Sequence, residues 1–230
     1  MRWQCQVTGI DTLTLYFGDR IDIALTEKIR IAAEALARRL GPRLIDLVPS
    51  YTSLMLRYDV LKDDYSSVLS DVKATLGDLP EQPTNVGESD IIKIPVYYHP
   101  SVGPDLAAIA ERAGLTTDQV IQRHSEQIYH VFAIGFAPGF AYLGEVPQEL
   151  ATPRLATPRP KVPAGSLGIA DRQTAIYPLE SPGGWNLIGR TPLTMFDAHR
   201  EQPSLLSAGQ QVQFRSISQD EYLALGGQIE

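Results

Sequence analysis

The chain has 230 residues, 43% of them hydrophobic and 20% charged, with a formal net charge of −7. That composition excludes a disordered chain, which lacks the apolar residues to form a core, and an acidic chain with no basic stripe is a poor nucleic-acid partner. No apolar run is long enough to span a bilayer, the N-terminus "MRWQCQVTGIDTLTLYFGD" carries no signal-peptide apolar block, and a single cysteine excludes an intrachain disulfide; a cytoplasmic protein is expected, with no membrane partner.

Strands are predicted over 2–8 and 11–17, where Leu13, Leu15 and Phe17 alternate with Thr12, Thr14 and Tyr16. Trp3, Cys5 and Val7 take the inward positions of the first, which makes Cys5 a structural thiol. A helix follows from about Asp22 to Leu40, with Ile29, Ala32, Ala33, Leu36 and Leu40 on one face and Gly41-Pro42 ending it. Two strands over 43–48 and 52–58 and a helix over 64–76, closed by Gly77, complete a β-β-α-β-β-α unit. The fold class is read as α+β, with a small N-terminal α/β domain over 1–80. The stretch "DLPEQPTNVGESD" is polar, holds two prolines and has no apolar period, so 81–90 is read as a linker.

From 91 onward the character changes. "IIKIPVYY" reads as a strand, and Pro104 opens a short helix that Gly114 closes. Thr116-Thr117-Asp118-Gln119 resembles a capping box and starts a helix to about Glu126. "QIYHVFAIGF" is a strand. Beyond it no helical period is visible, and residues 138–192 hold nine of the seventeen prolines. Short apolar runs between turn residues, then the alternating "QQVQFRSI", point to a compact β-barrel or sandwich over 91–230.

Three segments are candidates for chemistry. "GFAPGFAYLG", 135–144, carries Phe136, Phe140 and Tyr142 through a stretch that Pro138 and Gly139 must bend, as a packed corner or a binding-site wall would. In 151–172, Arg154, Arg159, Lys161 and Arg172 face one acid, Asp171, on proline-stiffened backbone suited to gripping an anion; solvated loop charges are the alternative. "VPAGSLG" sets Ser166 between glycines, where backbone N–H groups can form an anion nest or a plain turn. It is neither a phosphate loop nor a nucleophile elbow, because no Gly-Lys-Ser/Thr follows and Ala164 stands where the elbow needs glycine. Further on, Gly183-Gly184 let Tyr177 and Trp185 face either a cavity or the core. Asp197 is a candidate general base or metal-nucleotide ligand, or a turn residue. None of His99, His124, His130 and His199 shows metal-ligand spacing, so no metal site is predicted.

The run G-F-x-P-G-F-x-Y-L-G, then T-P-R, V-P-A-G-S-x-G-I, Q-T, Y-P, S-P-G-G-W and F-D, resembles the family of 5-oxoprolinase B subunits, also described as KipI-like or allophanate hydrolase subunit 1-like. The likeness is dense from His124 to Asp197. It implies a C-terminal cyclophilin-like β-barrel and partner subunits C, a related barrel, and A. Together they would open 5-oxoproline to L-glutamate with ATP and Mg bound by the assembled complex, the B and C subunits activating the lactam and A completing hydrolysis. On that resemblance Gln173 and Ser166 would donate to the lactam carbonyl, Arg154 or Lys161 would hold the carboxylate, and Tyr177 and Trp185 would wall the substrate. His124 and Asp197 would be the candidate catalytic groups, His124 with a core or capping role as its alternative. A KipI-like inhibitor of a sensor histidine kinase, or a carboxyltransferase-like subunit of a urea or allophanate pathway, are the alternative functions.

Overall fold

In the computed structural model, residues 3–79 and 91–229 are described, and the chain divides into two compact units, Met1–Glu88 and Ser89–Glu230. The predicted linker 81–90 lies outside the described residues.

The first unit runs β1 (Gln4–Gly9), β2 (Thr12–Tyr16), α1 (Ile23–Leu40), β3 (Leu44–Ser50), β4 (Ser53–Tyr58) and α2 (Tyr65–Gly77). Asp22 starts α1 by accepting the Ala24 N–H at 2.8 Å, and Gly41, at φ +53°, lets the chain leave it. The strands pair antiparallel in the order β1-β2-β4-β3. Leu13, Leu15, Leu54 and Leu56 meet Ile29, Leu36, Val68 and Val72 in one core. Trp3 and Cys5 pack against it, but Val7 is 64% exposed. As an edge strand with a register shift after Val7, β1 does not hold its far end on the helices.

The second unit runs β5 (Ile92–Val96), α3 (Leu106–Ala113), α4 (Thr117–Glu126), β6 (Ile128–Ile134), β7 (Ala141–Gly144), β8 (Arg159–Val162), β9 (Ser166–Ala170), β10 (Gln173–Ile176), β11 (Ser181–Gly183), β12 (Asn186–Arg190), β13 (Gln211–Ser216) and α5 (Gln219–Ala224). The capping box is formed in full. The Gln119 N–H donates to the Thr116 hydroxyl at 3.2 Å, and the Thr116 N–H donates to Gln119 Oε1 at 2.9 Å. The six-residue α5 is too short to show a period in sequence, although Ser218 caps it.

Within this unit the strands pair in the order β5-β13-β6-β7-β10-β9-β12, antiparallel except for β5 with β13. β8 and β11 form a separate two-stranded ribbon. Where a β-barrel or sandwich was expected, the unit is a large, mainly antiparallel sheet that does not close into a continuous barrel ladder. Its outer strands β5 and β12 meet at a bridge, Tyr97 with Arg190, through two 2.9 Å hydrogen bonds. The ladder stops there because the chain turns after Tyr97, with Val102 and Gly103 donating to the His99 carbonyl, while Thr191 donates to Gly165 and Pro192 has no N–H to give.

Candidate functional site

The segment "GFAPGFAYLG" is the connection between β6 and β7 together with β7 itself. Gly135 donates to the Phe140 carbonyl and Phe140 to that of Ala137, closing a tight loop. Gly139 sits at φ +80°, and a Cβ there would stand 2.7 Å from Cβ of Phe196, so this corner admits only glycine. Phe136 also has a positive φ, 70°, which costs an L-residue about 1–2 kcal/mol. The residue is 67% exposed. A strained backbone that holds an aromatic ring in water marks a functional site candidate.

That ring belongs to a cluster centred on Phe140. Ring centroids lie 5.2 Å away for Phe136, 5.0 Å for Tyr142, 5.5 Å for Tyr177 and 5.7 Å for Trp185, all with edge-on geometry. Gly183 passes so close to Tyr177 that a Cβ would fall 2.2 Å from the phenol oxygen. The result is a cleft of about 230 Å³ walled by these five aromatics, Arg154, Pro158 and Pro182–Gly184. The Arg154 guanidinium stands 5.8 Å over the Trp185 ring, a cation–π arrangement at the mouth. Burial pushes the Tyr177 phenol up, opposed by a backbone hydrogen bond from Trp185 and by the charges of Arg154 and Arg159.

Two residues that sequence reasoning missed, Asp105 and Asn186, position these walls together with Arg159. Asp105 accepts from Arg159 at 2.7 Å and from the Leu187 N–H at 2.6 Å, while Arg159 also donates to the Trp185 carbonyl at 3.3 Å. The pair fixes the start of β12 and hence Trp185. Asn186 donates to the carbonyls of Pro153, at 2.8 Å, and Ile169, at 3.1 Å, tying the Arg154 loop to the sheet. Arg159 was visible as a base, but its partner lies 54 residues away, a separation that no local spacing signals.

The remaining candidates lie elsewhere. Lys161 does not line the cleft; it is on the exposed side of β8 and pairs with Glu180 at 3.0 Å. Gln173, half-buried, opens β10 opposite Gly144 and Ala170. Ser166 is wholly buried. Asp197 accepts the His199 N–H and pairs with Arg200 at 3.5 Å, which is the turn role. His124, 0% exposed, is inside the core rather than at the cleft. Thr174 donates to the Gly168 carbonyl at 3.0 Å, so its oxygen accepts from His124 Nε2–H, also at 3.0 Å; the Tyr98 hydroxyl then donates to Nδ1 at 2.9 Å. Burial lowers the imidazole's pKa to about 3, which keeps it neutral and suits a core link rather than a proton donor to a ligand. Among the described residues no three His, Cys, Asp or Glu side chains group as a metal site, and no helix is long and apolar enough to cross a membrane.

Residues 3–206 match the model of the carboxyltransferase domain, subdomains C and D. The chain is 37% identical to the B subunit of 5-oxoprolinase from Bacillus subtilis, over 97% of each chain. Among solved structures it is similar to TTHA0988, with 39% identity and a TM-score of 0.78 over 90% of this chain and 40% of that one. The urea carboxylase of Kluyveromyces lactis, at 18% identity and a TM-score of 0.74 over 96% of this chain and 22% of that one, shares the fold.

Proposed function

Because this chain belongs to the family of 5-oxoprolinase B subunits, we propose that it is the B subunit of an ATP-dependent 5-oxoprolinase. With subunits A and C it cleaves 5-oxoproline to L-glutamate, and it is inactive without them. We further infer that its second unit is a variant of a cyclophilin-like barrel, the reading favoured by the bridge between β5 and β12.

The observation that carries the site assignment is Arg154 over Trp185 at an aromatic cleft. 5-Oxoproline is a small, flat five-membered lactam with one carboxylate. Flat rings stack on the faces that the Phe140 cluster presents, and a guanidinium offers a bidentate fork to the carboxylate. A site on one subunit that grips the ring and carboxylate leaves the lactam bond for groups of the assembled complex. The described residues hold no phosphate loop and no metal-ligand cluster. In this reading ATP with Mg is bound by the assembled complex. His124 and Asp197 take no catalytic role in this proposal.

The test is glutamate release from 5-oxoproline and ATP by three purified subunits, with each omitted in turn. Full activity requires all three. Glutamate production by this chain alone, or undiminished activity in its absence, refutes the assignment.

A further inference from the structure

Among the described residues lining the aromatic cleft, only Arg154 is charged. A second base, Arg159, stands just behind the wall. Its Nη1 donates to the Trp185 carbonyl at 3.3 Å, and its strand pairs it with Gly183, a lining residue. The charge of Arg159 is felt in the cleft, where with Arg154 it opposes the burial that raises the Tyr177 phenol. Left free, that guanidinium would give the cleft a second positive charge.

Asp105 prevents this. It holds the N-cap position of α3, where an aspartate ordinarily accepts an N–H of its own helix, yet its side chain makes no such bond. One carboxylate oxygen instead accepts Arg159 Nη2–H at 2.7 Å, and the other accepts the Leu187 N–H at 2.6 Å. Both oxygens are occupied, and the part-buried pair is neutral as a unit. Removing such a pair from water costs about as much as its attraction returns. Stability alone therefore does not account for two charges placed behind a ligand cleft.

We propose that Asp105 is a specificity-determining residue of the cleft. By taking up the charge of Arg159 it leaves Arg154 as the single free cation, so the cleft selects a flat ring with one carboxylate over a ligand with two. A second carboxylate would have to give up water without gaining a counter-charge. Resting on the reading of the cleft as the 5-oxoproline site, this selection retains the lactam and lets go of glutamate, which carries a second carboxylate.

The experiment titrates the full chain with benzoate, phthalate and 5-oxoproline at constant ionic strength and about pH 8, where both phthalate carboxylates are ionised. It follows the indole N–H of Trp185, told from that of Trp3 by its persistence in Trp3→Phe. The wild-type chain is expected to bind benzoate more tightly than phthalate. Asp105→Asn keeps the shape of the side chain and frees the guanidinium, and should shift the affinity ratio toward phthalate by about fivefold or more. Arg159→Gln leaves the carboxylate unpaired and should shift the ratio the other way. The double variant should restore it. A merely structural role weakens both ligands by one factor and leaves the ratio unmoved. That result, no benzoate binding, or a wild-type preference for phthalate overturns the proposal. If Asp105→Asn does not fold, the opposite shift in Arg159→Gln decides. If the benzoate and phthalate ratios behave as expected but 5-oxoproline fails to displace benzoate, the substrate assignment falls and the role of Asp105 stands.

Discussion

The second unit holds two aromatic clusters of similar make-up and opposite character. Around His124, the rings of Tyr98, Tyr129 and Phe214 close completely: centroid distances are 5.9, 5.2 and 5.0 Å, and the imidazole has both nitrogens bonded. Around Phe140, rings at equal spacing leave one side open, with Phe136 in water and a guanidinium over Trp185. Aromatic content and a titratable residue do not locate a site. What separates the clusters is whether the polar groups are consumed internally, as in the first, or aimed outward, as in the second.

The largest effect that could break this contrast is at the hub of the open cluster. Phe140→Ala removes a buried ring and is expected to cost about 3–5 kcal/mol of stability, read by urea unfolding. A loss under about 1 kcal/mol would mean that the cleft is not built on that ring. The closed cluster is tested by pH. The unfolded imidazole takes a proton below its ordinary 6.5, whereas native His124 does so only near 3. Stability present above pH 6.5 is therefore lost as pH falls toward 3, at up to about 1.4 kcal/mol per pH unit. His124→Gln should flatten that part of the stability–pH curve; an unchanged slope would assign the acid sensitivity to other groups.

Function provides the next, smaller effect. Arg154→Ala should raise the KM of the assembled enzyme for 5-oxoproline roughly 10- to 150-fold, the loss of a charge-assisted hydrogen bond, with Tm nearly unchanged. Arg154→Lys should recover only part of it, because a point charge does not replace a fork. Wild-type kinetics in Arg154→Ala would move the carboxylate site out of the cleft. The smallest effect is expected at Lys161, whose partner Glu180 is also exposed. Lys161→Ala should change stability by less than about 1 kcal/mol and leave KM alone; a KM shift matching that of Arg154→Ala would merge the two bases into one site.

Local rules made much of this molecule legible from its residues. The face Ile29-Ala32-Leu36-Leu40, the Thr116 capping box, the Gly41 and Gly114 stops and the alternation of Leu13 with Leu15 all depend on neighbours within a turn or a pleat. The bend in "GFAPGFAYLG" was legible for the same reason, since Pro138 and Gly139 constrain their own backbone. Whether the sheet closes was not, because closure depends on where strands nearly a hundred residues apart stop pairing. Nor were the fates of equivalent bases. Arg154, Arg159 and Lys161 lie within eight residues of one another on the same kind of backbone. Long-range partners separate them into a cleft mouth, a part-buried tie to Asp105 and a surface pair with Glu180. Sequence determined which side chains were available and where the chain must turn. Tertiary structure decided which of them were satisfied by one another and which were left facing an open cleft, because a charge or hydroxyl is defined by the partners that folding brings to it.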